Sequence, residues 1–365
     1  MAGYKSVSFD PDEAAAASDL ASAASDAASK AIGYASGASN AASAASVKAA
    51  AASSKIAAQS SAWEAGGGIE LGRRNAIING GMDVWQRGTV TLTSPANNTY
   101  FLDRFVVVHS MGDGTFNLLQ SAETPAVGFP FNYSLQLDCT AAESAVAAGE
   151  RAAFRYKIEG FDFKRFEGET ATLSFWVKAV KTGIYCVAFY NAAGNKAYVV
   201  EYTINSASTW EKKTATLTFN SGGTFLYTTG IGLYIEWIIM VGSNFHTTAE
   251  AWQSGNYLAT SNQVNGLDST DNNFWLTGVQ LELGSVATPF EVRPFAQELD
   301  LASRYAQASS VKSVNGVIWV PFRTQMRAAP TVTPSAGSSG DITADGFTLT
   351  HNTAAALTYL ATSEL

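Results

Sequence analysis

The apolar positions of this chain change period along its length. Between Ala14 and Ala65 small residues recur every three or four positions. Ala14, Ala17, Ala21, Ala24, Ala28, Ala31, Ala35, Ala38, Ala42, Ala45, Ala49 and Ala52 form an unbroken 3-4 series, and Ile56 continues it. A seam of that period held for more than five heptads predicts an α-helical coiled coil over residues 13–65. Ser18, Ser22, Ser25 and Ser29 flank the seam, and Asp19, Asp26 and Asn40 share one heptad position. A disordered linker has no reason to keep such a register. Alanine lets helix axes approach closely, but each methyl buries little area at roughly 25 cal/mol per Å². Gly33 and Gly37 each cost about 1 kcal/mol of helix propensity. The predicted rod is therefore thin, about 80 Å long at 1.5 Å per residue, and depends on folded parts at its ends.

After Gly66-Gly67-Gly68 the period falls to two. In Thr172–Ala179, Leu173, Phe175 and Val177 alternate with Ser174, Trp176 and Lys178, the pattern of a half-buried strand. Gly183–Tyr190 and Ala197–Ile204 flank Asn191–Asn195, a Gly/Asn hairpin loop. Thr214–Phe219 alternates again. Ile231, Leu233, Ile235, Trp237 and Ile239 share one face of a further strand. Its other face, with Tyr234, Glu236, Ile238 and Met240, is apolar as well and calls for a cover. Many short strands separated by turns predict a mainly β body, an antiparallel β-sandwich or jelly roll over residues 66–295. Ala296–Ser309 reads as a helix. Val317–Phe322, Thr331–Thr333, Gly346–Thr350 and Leu357–Ala361 then read as a small C-terminal β tip, giving a connection and tip over 296–365. These strands are few for an independent core, a deficit that intertwining with other copies would solve.

Composition narrows the chemistry. The 365 residues carry a net charge of −8, and 15% are charged, against roughly 25% in a typical domain. Basic residues are spread thinly, which argues against a nucleic-acid partner. Three His and two Cys, Cys139 and Cys186, supply neither a zinc set nor a disulfide framework. The longest apolar stretch, Ile231–Val241, is too short to span a bilayer, and Met1–Asp10 lacks the apolar core of a secretory signal. The expectation is a soluble chain, made in the cytosol, without membrane insertion and without a cofactor. Tyr4, Val7 and Phe9 precede Asp10-Pro11-Asp12 and suit a short docking arm, residues 1–12. The alternative reading of that arm is a frayed tail.

Binding of a sugar needs aromatic faces for pyranose C–H surfaces, with amides or carboxylates for hydroxyls. Trp252 sits in a polar loop beside Gln253, Asn256 and Tyr257; Trp210 opens a strand; Trp319 and Phe322 lie near the tip. Trp85 and Trp237, among apolar neighbours, read as core. Glycan cleavage would need two carboxylates roughly 5–9.5 Å apart. Glu236 on its apolar strand is the most unusual carboxylate, and reads more readily as a satisfied structural group. No G-x-S-x-G elbow accompanies the histidines. Asp268–Asn273 is an oxygen-rich turn without a twelve-residue calcium-loop pattern.

Several segments, in order, resemble the carbohydrate-binding-like domain of bacteriophage tail fibres and prophage tail proteins. They are Asn75–Gly88 (NAIINGGMDVWQRG), Tyr100–Phe105 (YFLDRF), Leu173–Ala179 (LSFWVKA), Thr209–Lys212 (TWEK), Phe274–Leu299 and Met326–Val332 (MRAAPTV). An Ala/Ser rod before such a body is usual in these fibres. The chain departs from them at Leu301–Ala306, where Cys and paired Tyr are usual, and at Phe105, where Trp is common. The resemblance implies a homotrimeric fibre of the virion tail, assembled in the host cytoplasm. It also implies docking to a tail hub or baseplate protein through the N-terminus, and non-catalytic adsorption to bacterial surface polysaccharide. A tailspike-type depolymerase and a purely structural tail or baseplate component are the alternatives.

Overall fold

Alternating sequence becomes two packed sheets because each strand buries one row of side chains and must cover it. A computed structural model describes residues 18–33, 36, 43, 46 and 74–365, apart from 89–90, 127–130, 221, 314 and 353–354. Residues 18–33 are helical (α1), and Ala21, Ala24, Ala28 and Ala31 of the predicted seam lie on it. Its Leu20 and Ile32, which flank that seam, are exposed. The remaining seam positions, Ala14, Ala17, Ala35, Ala38, Ala42, Ala45, Ala49, Ala52 and Ile56, lie outside the described residues, as do Tyr4, Val7 and Phe9.

Residues 62–365 form a separate unit. Its strands run β1 (Thr91–Thr93), β2 (Thr99–Tyr100), β3 (Phe105–Ser110), β4 (Thr115–Ser121), β5 (Ser134–Ala141) and β6 (Arg151–Glu159). A short helix α2 (Gly160–Phe163) leads to β7 (Thr170–Ala179), β8 (Gly183–Tyr190), β9 (Ala197–Ile204) and β10 (Glu211–Thr218). Then come β11 (Ile231–Val241), β12 (Trp252–Gln253) and β13 (Asn273–Leu283). One sheet has the order β1-β4-β5-β13-β7-β10, the other β12-β9-β8-β11-β6-β3-β2, with antiparallel pairing. The main core lies between them: Leu118, Leu137, Phe175 and Leu276 from the six-stranded sheet meet Val107, Phe154, Phe189 and Trp237 from the other. Trp237 is edge-on to Phe175 at 5.9 Å.

The sandwich and its hairpin follow the alternation closely. Ile235, Trp237 and Ile239 face the core as the pattern requires. Met240, assigned by strict alternation to the other face, joins the same core because the register against β6 shifts between Ile238 and Met240. The second face of the seven-stranded sheet is covered from within the chain: Val199 and Ile238 pack with Leu258, Ala259, Phe245 and Tyr257.

The predicted helix over 296–309 is shorter. Helix α3 (Phe295–Ser303) ends and the chain becomes a strand, β14 (Ala306–Ser313), because those backbone groups pair along the whole of the last strand. With β15 (Gly316–Pro321), β16 (Thr331–Pro334), β17 (Ser338–Gly340), β18 (Gly346–His351) and β19 (Ala355–Thr362), it makes two three-stranded sheets, β14-β19-β16 and β15-β18-β17. Between them Phe322, Phe347, Leu349 and Tyr359 form the tip's own core.

The tip is fastened to the sandwich by buried charge. Arg104, 1% exposed, donates to Glu364 at 2.7 Å and to the Lys157 carbonyl at 2.6 Å, with Tyr305 3.5 Å from its guanidinium. Arg87 reaches Glu364 at 2.9 Å and Asp103 at 3.0 Å. Glu159 holds Arg304 and accepts from the Tyr305 hydroxyl at 2.8 Å. Burial pushes Lys157 down to about 8, helped by Arg155 and Arg104 and opposed by Glu364.

Candidate functional site

Aromatic rings over polar strand faces are the features that sugar chemistry requires; one surface of the body exposes such a ring and a second carries two rings that are buried or half-buried. On the tip, β15 is an edge strand and its outward side chains are Val317 and Trp319. Trp319 is 50% exposed, the one tryptophan in the exposed class among the described residues. It sits opposite Thr348 and diagonal to Gly346 on β18. A Cβ at Gly346 would stand 2.7 Å from Trp319 Cζ2, so the missing side chain is what lets the indole lie across the sheet. Thr348 Oγ1 donates to Asp341 Oδ2 at 3.2 Å beside it. An indole face, the Thr348 hydroxyl and the Asp341 carboxylate thus share one surface. Phe322 does not belong to this surface: it is buried in the tip core against Phe347 at 5.7 Å.

The second surface is the outer face of the six-stranded sheet. Antiparallel register places Gln136, Trp275 and Lys178 in one row across β5, β13 and β7. The β10–β7 register, Glu211 opposite Val177, continues that row to Trp210. Lys178 Nζ lies 3.9 Å from the Trp275 ring centroid and 5.9 Å from that of Trp210. Glu123 is its ion-pair partner. In the neighbouring positions, Gln136 Nε2 donates to Asn273 Oδ1 at 2.8 Å. Trp275 Nε1 and Asn117 Oδ1 are buried without a hydrogen-bond partner. The sequence pattern placed Lys178 and Ser174 outward, which is correct, but both are buried by other segments of the chain.

The polar-loop tryptophan has a different place. Trp252 points inward: Nε1 donates to the Thr218 carbonyl at 2.9 Å, and the ring is edge-on to Tyr198 and Phe225. Gln253 Nε2 donates to Thr248 Oγ1 at 3.0 Å. Tyr257 packs on the second face of the seven-stranded sheet, and Asn256 is exposed next to Gly194. Trp252 and Tyr257 thus hold a long loop on the sandwich, and Gln253 bonds within it. Trp85 packs on the core edge-on to Phe101, and Trp237 is fully buried.

The acidic residues are tied into the fold. Glu236 accepts from Arg155 Nε at 2.9 Å and from the Tyr190 hydroxyl, whose ring stacks on Tyr234 at 4.7 Å. Glu282 pairs with Arg74 at 3.3 Å, and Glu143 accepts from the Asp113 and Gly114 amides, each at 2.9 Å. Asp268 is taken by Lys181 and by Asn272 Nδ2 at 2.8 Å, so its turn is closed by protein groups. Asp83, Arg293 and Glu298 line a cleft of about 40 Å³ with Phe131 and Phe290, room for a few waters and not for a sugar ring. Burial raises the Asp83 carboxyl, against hydrogen bonds from Asn132. Among the described residues no cluster of three or more His, Cys, Asp or Glu is placed to hold a metal ion. Among them, too, no helix is long and apolar enough to cross a membrane.

No protein-family model and no curated protein matches the chain. Solved structures do. The enzymatically active domain of tailspike protein 4 of bacteriophage CBA120 is 15% identical with a TM-score of 0.31. That match covers 57% of this chain and 21% of the tailspike chain, so this protein spans about a fifth of it. The C-terminal family 22 carbohydrate-binding module of Xyn10B of Clostridium thermocellum matches at 14% identity and a TM-score of 0.27, over 54% of this chain and 99% of that one. The family 11 carbohydrate-binding module of a cellulosomal cellulase of Clostridium thermocellum matches at 10% identity and a TM-score of 0.27, over 54% and 97%.

Proposed function

We propose that this protein is a receptor-binding tail fibre of a bacteriophage virion, a homotrimer that adsorbs to bacterial surface polysaccharide without cleaving it. The observation that carries the binding part is Trp319, half exposed on an edge strand and laid over Gly346, with the Thr348 hydroxyl and the Asp341 carboxylate beside it. A large apolar ring left in water gains by covering, and a pyranose face fits it. The Ala seam supports the oligomer, because α1 leaves its small-residue stripe and flanking Leu20 and Ile32 open. The ordered motif pieces support the tail assignment. The non-catalytic reading is supported by the carboxylates described above, each ion-paired or hydrogen-bonded within the fold. Several weak sites on one particle would act together through avidity.

The test is adsorption of the full chain to a panel of bacterial cells and extracted polysaccharides, with Trp319→Ala alongside. Wild type is expected to be retained and to leave the polysaccharide length unchanged, and the variant to lose about tenfold in retention with an unaltered unfolding curve. Light scattering is expected to give three times 38.5 kDa. A monomer, shortened polysaccharide, or equal retention of the variant each removes the corresponding part of the reading.

A further inference from the structure

The row Trp275–Lys178–Trp210 sets a nearly buried cation on a sheet face, and unlike Arg155, whose partner Glu236 is buried, Lys178 has an exposed counter-ion. An ammonium taken from water costs several kcal/mol unless an anion and aromatic faces replace its hydration. The Lys178 side chain is 8% exposed and rests on Trp275. Its counter-charge comes from outside the sheet: Glu123, in the irregular segment after β4, has a side chain that is 59% exposed. The cation is thus fixed and the anion solvated. An exposed carboxylate held by one such pair contributes little to stability, so a competing anion can take its place at small cost. The buried Nε1 of Trp275, which has no acceptor, leaves a further donor on the same ring.

From this we infer an anion subsite: a carboxylate or phosphate group carried by a bound polysaccharide replaces Glu123 at Lys178, between the Trp275 and Trp210 rings. The inference rests on the glycan-binding reading above and adds to it a class of ligand, acidic rather than neutral. Exchange of one anion for another leaves the charge balance of the site unchanged, so no further group has to titrate.

The experiment uses the full chain and immobilised bacterial polysaccharides of three kinds: uronate-bearing, glycerol-phosphate-bearing and neutral. Lys178→Gln, Glu123→Gln and Trp319→Ala are run beside wild type, with thermal unfolding of each. Acidic polymers are expected to be retained over neutral ones. Lys178→Gln should weaken retention of the acidic polymers about tenfold, the size of one charge-assisted hydrogen bond. Glu123→Gln should strengthen it about threefold by removing the competitor. Competition by acetate or by inorganic phosphate then separates the carboxylate source from the phosphate source. If neutral and acidic polymers are retained alike, or both charge variants behave as wild type, the subsite is wrong while the glycan reading stands. If wild type retains no polymer at all, the glycan reading fails first and the subsite with it. Should Lys178→Gln unfold, Glu123→Gln alone decides, since its side chain is mostly in water.

Discussion

Replacing Glu364 by Gln removes the anion that two guanidinium groups share, Arg104 buried and Arg87 partly buried, and the structure sets the scale of the loss. Arg104 lies 2.7 Å from Glu364 and Arg87 lies 2.9 Å from it. At an effective dielectric constant of about 20, one such pair is worth roughly 6 kcal/mol of gross Coulomb energy. Part of that returns because Gln need not be desolvated as a charge, and because it keeps one acceptor oxygen. Arg104 also retains the Lys157 carbonyl, and Arg87 retains Asp103. The net cost should be about 3 kcal/mol, in the range for an uncompensated buried charge. For a body of this size that lowers the unfolding temperature by about 5 °C. Calorimetry of the full chain measures it, and the cycle with Arg104→Met isolates the pair. The double variant should be at least 1.5 kcal/mol more stable than the sum of the singles, since no charge is then stranded (about 1–4 kcal/mol is typical for such replacements). Glu364 also raises Lys157, whose value is about 8, so its loss should move that lysine lower in an NMR titration. A melting shift below about 1 °C, or an additive cycle, refutes the account of a charge-fastened tip.

Two further perturbations test other joints. Burial alone would raise the Glu211 carboxyl, but Lys213, the Ser206 and Asn205 backbone amides and the Asn205 side chain outweigh it and hold it at about 2. A depressed value stabilises the fold above the unfolded value of 4.5 and is lost as pH falls through about 2, so Glu211→Gln should flatten the acid limb of a stability-against-pH curve; an unchanged limb rejects this. Gly346→Ala puts a methyl 2.5 Å from the Val320 carbonyl oxygen and 2.7 Å from Trp319 Cζ2. It should cost about 1–3 kcal/mol, alter indole fluorescence and lower polysaccharide retention as Trp319→Ala does; retention equal to wild type would show that the ring's placement over Gly346 is irrelevant to binding.

Period-two patterning was legible wherever one face alone is buried. The β8–β9 hairpin has the boundaries that the sequence implies, because Asn191 Oδ1 accepts from the Asn195 and Lys196 amides, at 3.1 and 3.2 Å, inside the loop. Strand β14 was not legible, since Ala306–Ser313 has helix-forming residues and no alternation; its structure comes from pairing with β19, some fifty residues on. Trp252 shows why polar neighbours mislead. Its ring is drawn into the core by a carbonyl on β10, a partner that local sequence cannot name. The row at Lys178 needs two strand registers, β7 with β13 and β7 with β10, and no spacing along the chain encodes them.

The motif pieces that suggested a tail fibre separate physically into two groups. Asn75, Asn79, Asp103, Arg104, Glu291 and Arg293 make a joint. Asn75 bridges the Val279 carbonyl and the Leu281 amide, at 3.1 Å each, and Asn79 bonds the carbonyls of Val84 and Asp103 at 2.8 and 3.1 Å. Arg293 ties Asn75 to Glu298, and Gln86 reaches the Ala306 carbonyl at 2.5 Å, where the tip begins. That group specifies how a sandwich carries a tip and says nothing of what the tip touches. Lys178 and Trp210, from two other pieces, form one row on the outer face of the six-stranded sheet with Trp275, which comes from the same piece as Glu291 and Arg293. Trp319 belongs to neither group. The sandwich meets the tip mainly through polar side chains: Arg87 and Arg104 on Glu364, Glu159 on Arg304, Arg327 on the Thr229 carbonyl, Gln86 on the Ala306 carbonyl, and Tyr100 and Lys157 on the Leu365 carbonyl. A tip with a different outer face could therefore be carried by the same sandwich, provided that those charges kept their places.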